Sequence, residues 1–252
     1  MSRPRIRVGC AGWSIPGRHA ALFGRGDSML ARYASRFDVV EINSSFHRPH
    51  RQATYAKWAA QVPAAFRFSV KLPRSISHEG ALRGAGPALD RFLDESAGLG
   101  RKLAGYLLQL PPSLVFDART VAVFLGMFGR RSQAPLVCEP RHGSWFTPRA
   151  SELLARHGVS RAAADPARVP AAATPSPASP WAYWRWHGAP RMYYSDYPEA
   201  ALAGLATAAA ARLPPAGAWV IFDNTAHGHA VANAARLQAL LACAPPRSRR
   251  RA

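Results

Sequence analysis

The stretch WAYWRWH, residues 181–187, decides the fold. Alternate side chains of an extended strand point to opposite faces, so Tyr183, Arg185 and His187 share one face and Trp184 and Trp186 the other. A barrel strand shows one face to the interior and one to an outer layer of helices. This arrangement packs the two tryptophans under helices and carries Arg185 and His187 toward an interior site. Seven further runs of apolar, β-branched or aromatic residues read as strands: 6–10 (IRVGC), 38–42 (DVVEI), 66–71 (FRFSVK), 104–109 (AGYLLQ), 135–139 (PLVCE), 160–164 (SRAAA) and 218–222 (AWVIF). Each gap leaves room for the crossover that parallel strands require.

Helical spacing fills most gaps. Asp27 is placed to cap a helix carrying Leu30, Tyr33, Ala34 and Phe37 on one face. Tyr55, Trp58, Ala59 and Val62 repeat the pattern, as do Val121, Phe124, Leu125 and Phe128. Thr147-Pro148 gives a cap followed by proline at the first helical position, and Gly158 suits that helix's end. Residues 166–180 hold five prolines, which forbids a regular helix there. The expectation is an α/β chain forming a single (β/α)8 TIM-type barrel over 1–244, helix-poor between strands six and seven. Residues 245–252 read as a basic, disordered tail.

At 252 residues the length suits one such domain. No apolar run is long enough for a membrane span, and the basic start leads straight into a strand rather than a secretory h-region. Cys10, Cys138 and Cys243 are scattered without a paired framework. Both observations point to the cytoplasm. Cys10 and Cys138 read as core fillers, with a nucleophilic Cys10 as the lesser alternative.

The formal net charge of +19 comes from 33 basic residues, of which only Lys57, Lys71 and Lys102 are lysine. That arginine excess beside abundant alanine and proline has the look of coding bias. It will nevertheless draw polyanions, nucleic acid included, without specificity.

In a barrel, chemistry belongs at the carboxyl ends of the strands. Of 14 acidic residues, Glu41, Glu139, Asp165 and Asp223 fall there. Trp13, Asn43, Phe46, Lys71, Gln109, Arg141, Trp145, Arg185, His187 and Asn224 collect at the same positions.

The ordered segments GCAGWS (9–14), VEINSSFHR (40–48), FSVKLPRSISHE (68–79), LLQLPPS (107–113), CEPRHGSW (138–145), YWRWHG (183–188) and FDNTAHGHAVANA (222–234) resemble the YecE-like family, domain of unknown function 72. The resemblance covers nearly the whole chain and implies a barrel of the TIM type; it implies no activity. Three positions depart from the family pattern: His47 where tyrosine is usual, Ser77 where threonine is usual, and Asp223 where asparagine is usual. Asp223 adds a negative charge to the site.

Glu41, Lys71, Glu139 and His187 are the proton-transfer candidates. Glu41 serves equally as half of an ion pair with Lys71 or Arg185. Lys71 stands out because lysine loses its proton when desolvated, whereas arginine does not. Arg141 and Arg185 would clamp an anion, with Trp13, Asn43, Phe46, Gln109, Trp145, Asp223 and Asn224 binding the rest of a substrate. Asp223-Asn224-Thr225 reads as the cap of the last helix. Glu139, Asp165, His187, Asp223 and His229 supply metal-ligand types, but no strand-end spacing supports a metal, and a divalent metal is the weaker reading. No GxGxxG turn or P-loop is present, so no cofactor is evident.

The leading expectation is an enzyme, a hydrolase, lyase or isomerase, doing acid/base chemistry on a phosphorylated or carboxylated small molecule. The alternative is a nucleic-acid-binding or -processing barrel using the basic surface and exposed Trp13, Phe46 and Trp145. A non-catalytic partner protein is a third reading, and the oligomeric state is not legible.

Overall fold

A computed structural model describes residues 5–176, 181–215 and 217–243. The expected tail at 245–252 and the end of the 166–180 stretch lie outside them. Among the described residues nine strands form two parallel sheets. One sheet orders β2 (Val39–Ile42), β3 (Arg67–Lys71), β4 (Leu103–Gln109), β5 (Leu136–Glu139) and β6 (Ser160–Arg161). The other orders β1 (Ile6–Cys10), β9 (Ala218–Phe222), β8 (Ala182–Trp186) and β7 (Ala163–Asp165).

The expected strands are present, with the sixth divided. Ser160–Arg161 pairs with β5 and Ala163–Asp165 with β8, so at Ala162 the strand passes from one sheet to the other. The uninterrupted eight-strand ladder expected from the sequence is not formed. Between β1 and β2 there is one bridge, Ala11 to Glu41. The Tyr33 hydroxyl occupies the gap below it, accepting from the Cys10 amide at 2.8 Å and donating to the Val39 carbonyl at 3.0 Å. A side chain thus replaces a direct ladder bond.

That close approach explains Gly9. A Cβ there would sit 2.3 Å from the Val39 carbonyl oxygen, a backbone atom that cannot swing aside. We expect Gly9→Ala to prise β1 from β2 and cost roughly 1–3 kcal/mol, measured by urea unfolding; an unchanged midpoint would contradict this packing.

The core has two layers. Val39, Leu107, Val137, Tyr183, Trp219 and Ile221, drawn from both sheets, make an inner cluster. Trp184 packs in a larger outer cluster with the helices, as the parity of WAYWRWH requires. The helices are α1 (Met29–Ala34), α2 (Gln52–Ala60), α3 (Gly86–Ser96), α4 (Ala118–Arg131), α5 (Pro148–Arg156), α6 (Glu199–Ala211) and α7 (His229–Cys243). Thr147 caps α5, and Gly158 has a φ of 65° just past its end. Two helix starts differ from expectation. Ser28, not Asp27, caps α1 by accepting from the Ala31 amide, because its hydroxyl is the group within reach of that donor. Residues 225–228 form a turn before α7, so Thr225 does not cap it. Between β7 and β8 the described residues hold only a 3₁₀ turn, Pro170–Ala173. No described helix is long and apolar enough to cross a membrane.

Candidate functional site

The carboxyl ends of the strands carry a buried lattice of charge centred on Arg185, which is fully buried. Its Nε and Nη2 donate to the two Glu41 oxygens at 2.9 and 2.7 Å. Its Nη1 donates to Glu139 Oε2 at 2.8 Å, and Nη2 also reaches Asp223 Oδ2 at 3.0 Å. Tyr183, one pleat below, donates its hydroxyl to Glu41 Oε2 at 2.8 Å and contacts Ser69 Oγ at 2.8 Å. Arg141 donates through Nε to Glu139 Oε1 at 2.5 Å. Three strands, β2, β5 and β8, and the turn after β9 therefore meet at one guanidinium.

His187 completes the lattice. Its Nδ1 lies 3.0 Å from Asp223 Oδ2, and its Nε2 lies 2.7 Å from Arg141 Nη2. Its Nε2 also lies 3.1 Å from Glu139 Oε1, so Nδ1 faces a carboxylate acceptor while Nε2 faces both a guanidinium donor and a carboxylate acceptor. Burial opposes ionisation of Glu139, yet Arg141, Arg185 and His187 hold its carboxyl well below the usual carboxylate range. Asp223 is likewise held low against burial, chiefly by Arg185 and His187. Three carboxylates face two guanidinium groups, leaving one negative charge before Lys71 is counted.

Above the lattice opens a cavity of about 530 Å³ lined by Asn43, Phe46, Lys71, Gln109, Arg141 and Asp223, together with His47, Arg74, His78, Arg168, Met192, Tyr193 and Thr225. Lys71, the last residue of β3, is 5% exposed. Its Nζ stands 4.0 Å from the centre of the Phe46 ring. Among the described residues no carboxylate oxygen comes within 4.0 Å of it. Burial first, then Arg185, pushes the Lys71 ammonium down to about 8, against the pull of Asp223, Glu41 and Glu139.

The sequence-based candidates thus divide. Lys71, Asn43, Phe46, Gln109, Arg141 and Asp223 line the cavity, while Glu41, Glu139, Arg185 and His187 form its buried floor. Arg185, expected to clamp an anion, is fully buried with its nitrogens bonded to Glu41, Glu139 and Asp223, and three further expected substrate-binding residues lie outside the cavity. Trp145 is 1% exposed, packs on Phe116 and donates Nε1 to the Leu114 carbonyl, because the 3₁₀ turn Gly143–Phe146 rotates it into the core. Trp13 packs edge-on against Trp58. Asn224 is fully buried, its Nδ2 donating to Ser195 O and Asn233 Oδ1, and it ties the loop after β8 to α7. Buried Trp145 is therefore not available to stack on bases beside Trp13 and Phe46, as the nucleic-acid reading expects. Burial pushes the Cys10 thiol up to about 12, away from the thiolate form that a nucleophile needs.

Of the five metal-ligand candidates Glu139, His187 and Asp223 meet in the lattice, while Asp165 and His229 lie apart. Asp165 accepts from the Tyr197 hydroxyl, His229 pairs with Asp196, and the floor carboxylates are engaged by guanidinium groups. Among the described residues no three His, Cys, Asp or Glu side chains could hold a metal ion.

Arg168, Met192 and Tyr193 were not legible as site residues, since they lie in irregular loops without periodicity. Tyr193 has a φ of 70°, rare for a residue with a side chain. Its amide donates to the His187 carbonyl and its carbonyl accepts from the Ala226 amide, which turns its ring perpendicular to His187.

A model of the family described as "Protein of unknown function DUF72" matches residues 7–251. The chain is 29% identical to the UPF0759 protein YecE of Escherichia coli (strain K12) over 173 residues, covering 66% of this chain and 61% of that protein. It is 28% identical to the UPF0759 protein YunF of Bacillus subtilis (strain 168), covering 57% of this chain and 53% of that protein. The matches thus span less than two thirds of these curated relatives' length. Crystal structures of DUF72 family proteins from Enterococcus faecalis V583 and Thermotoga maritima MSB8 share the fold, with TM-scores of 0.78 and 0.77. Their identities are 24% and 22%; 96% and 94% of this chain is covered, and 99% of each of theirs.

Proposed function

The chain belongs to the DUF72 family, and on that premise we propose that it is an enzyme acting on a phosphorylated or carboxylated small molecule at the mouth of an eight-unit barrel made by the two sheets. The supporting observation is the charge of the cavity wall. Lys71, Arg74, Arg141 and Arg168 line it against a single acid, Asp223. That acid is already bonded to Arg185 and His187, Arg141 is paired with Glu139 and Arg74 with Glu79, so among the described residues Lys71 and Arg168 are the wall cations without a carboxylate partner, and they favour an anion.

The cations divide the work. Arg141 spends one edge on Glu139 and His187 and keeps Nη1, 3.8 Å from Met192 Sδ, turned toward the cavity. Arg74 and Arg168 are exposed at its rim. Of these four cations Lys71, held down to about 8, is the one that can release its proton near neutrality, and it is the proton-transfer residue. Glu41, Glu139, Arg185 and His187 are positioning residues that fix the field around it.

Orthophosphate titrated at constant ionic strength should raise the unfolding midpoint saturably, as a ligand of the folded state does. Arg74→Gln combined with Arg168→Gln should weaken this binding about tenfold, a loss of about 1.4 kcal/mol. Arg130→Gln on the exposed side of α4 should not. Equal losses in both proteins, or a rise that never saturates, would reduce the effect to non-specific surface charge.

A further inference from the structure

We propose that Lys71 is a Schiff-base nucleophile toward the carbonyl group of a small substrate that also carries a carboxylate or phosphate. This rests on the anionic-cavity reading above and narrows it.

Three observations converge on the amine. Its Nζ lines the cavity, with the Phe46 ring against one side. The acids that would pin it as an ammonium are otherwise engaged: Glu41 by Arg185 and Tyr183, Glu139 by Arg185 and Arg141, Asp223 by Arg185 and His187. An ion-paired lysine holds its proton, whereas a desolvated one without a close carboxylate releases it. Finally, the cavity's other permanent cations are all arginines, able to hold an anion but not to attack carbon. In a chain with three lysines among 33 basic residues, the single cavity amine is chemically distinct. Its ammonium, pushed down to about 8, leaves on the order of a hundredfold more neutral amine at pH 7 than an ordinary lysine.

The step balances without a further reactant. The Nζ lone pair attacks the carbonyl carbon, and the π pair moves to oxygen, which is protonated to give the carbinolamine. The C–O bond then breaks and the oxygen leaves as water. In sum, one ammonium and one carbonyl give one protonated imine and one water, both water protons coming from the ammonium. Nothing is oxidised or reduced. The imine then draws electrons from an adjacent C–H or C–C bond, which favours lyase or isomerase chemistry over hydrolysis.

The full chain should be incubated with pyruvate or with dihydroxyacetone phosphate, reduced with sodium borohydride and mapped by peptide mass. The expected result is a reduced adduct at Lys71 at least about tenfold over exposed Lys57, given its larger neutral fraction. Orthophosphate should suppress it, and Lys71→Met should lose it while keeping a cooperative unfolding transition. Label shared evenly among the lysines, or absent from Lys71 with both probes, overturns the proposal. If phosphate binds saturably but no Lys71 adduct forms, the nucleophile falls and the anionic site stands. If the adduct forms without phosphate protection, the nucleophile stands and the anionic site falls.

Discussion

Arg185→Met is expected to cost at least about 5 kcal/mol at pH 7 and to leave little folded protein. Breaking one buried ion pair typically costs about 3–5 kcal/mol, because the abandoned partner keeps its charge without water. Here one guanidinium serves Glu41, Glu139 and Asp223. A domain stable by about 5–15 kcal/mol loses most of its margin. The pH dependence should also change. With Arg185 present, Glu139 and Asp223 are held below their ordinary values. Their stabilisation is complete above the unfolded carboxylate pKa near 4 and lost as pH falls through the folded values. Without Arg185 the largest opposition to burial at Asp223 is gone and its carboxyl rises, while Glu139 keeps Arg141, so the variant's deficit should narrow as pH falls from 7 toward 5. If the single variant does not fold, Glu41→Gln with Arg185→Met restores part of the balance and should be more stable than Arg185→Met alone. Urea unfolding of the three proteins checks this; equal stability of variant and parent would contradict the lattice.

Lys71→Met should act in the opposite direction and stabilise the protein. A group held at about 8 instead of its ordinary 10.5 is costly to keep protonated in the folded state. That difference corresponds to about 3 kcal/mol at any pH below the folded value. Losing the contact with Phe46 returns about 1 kcal/mol, so the expected net gain at pH 7 is about 2 kcal/mol. The sign follows from proton counting. Between pH 8 and 10.5 the unfolded chain binds the extra proton, so the parent's stability rises with pH there and the advantage of methionine shrinks. Comparing the two proteins isolates the lysine from the tyrosines that titrate in the same range. A loss of stability at pH 7 would make Lys71 a structural cation and remove the case for its role in proton transfer.

The barrel-like succession of strands was legible because short β-rich runs between helical patterns survive any local detail. The parity of WAYWRWH was equally legible, and it carries Arg185 and Trp184 to opposite faces. The partners of Arg185 were not. Glu41 lies 144 residues away and Glu139 46, and no local pattern reports such a meeting. Trp145 failed for a related reason: its strand-end position suggests a wall, but one 3₁₀ turn decides which way it points. Tyr193 and Arg168 sit in loops whose course is set by what they pack against. The gap between β1 and β2 depends on a hydroxyl from α1, visible only once the helix is docked.

The central claim is that Lys71 is a desolvated amine facing an anion site. With three lysines in the chain, ¹³Cε-lysine NMR should resolve and titrate each one, assigned with Lys71→Met. The expected midpoint for Lys71 is near 8, moving upward on saturation with orthophosphate, since a bound anion favours the ammonium. A midpoint at the ordinary lysine value near 10.4, unmoved by phosphate, would contradict the account.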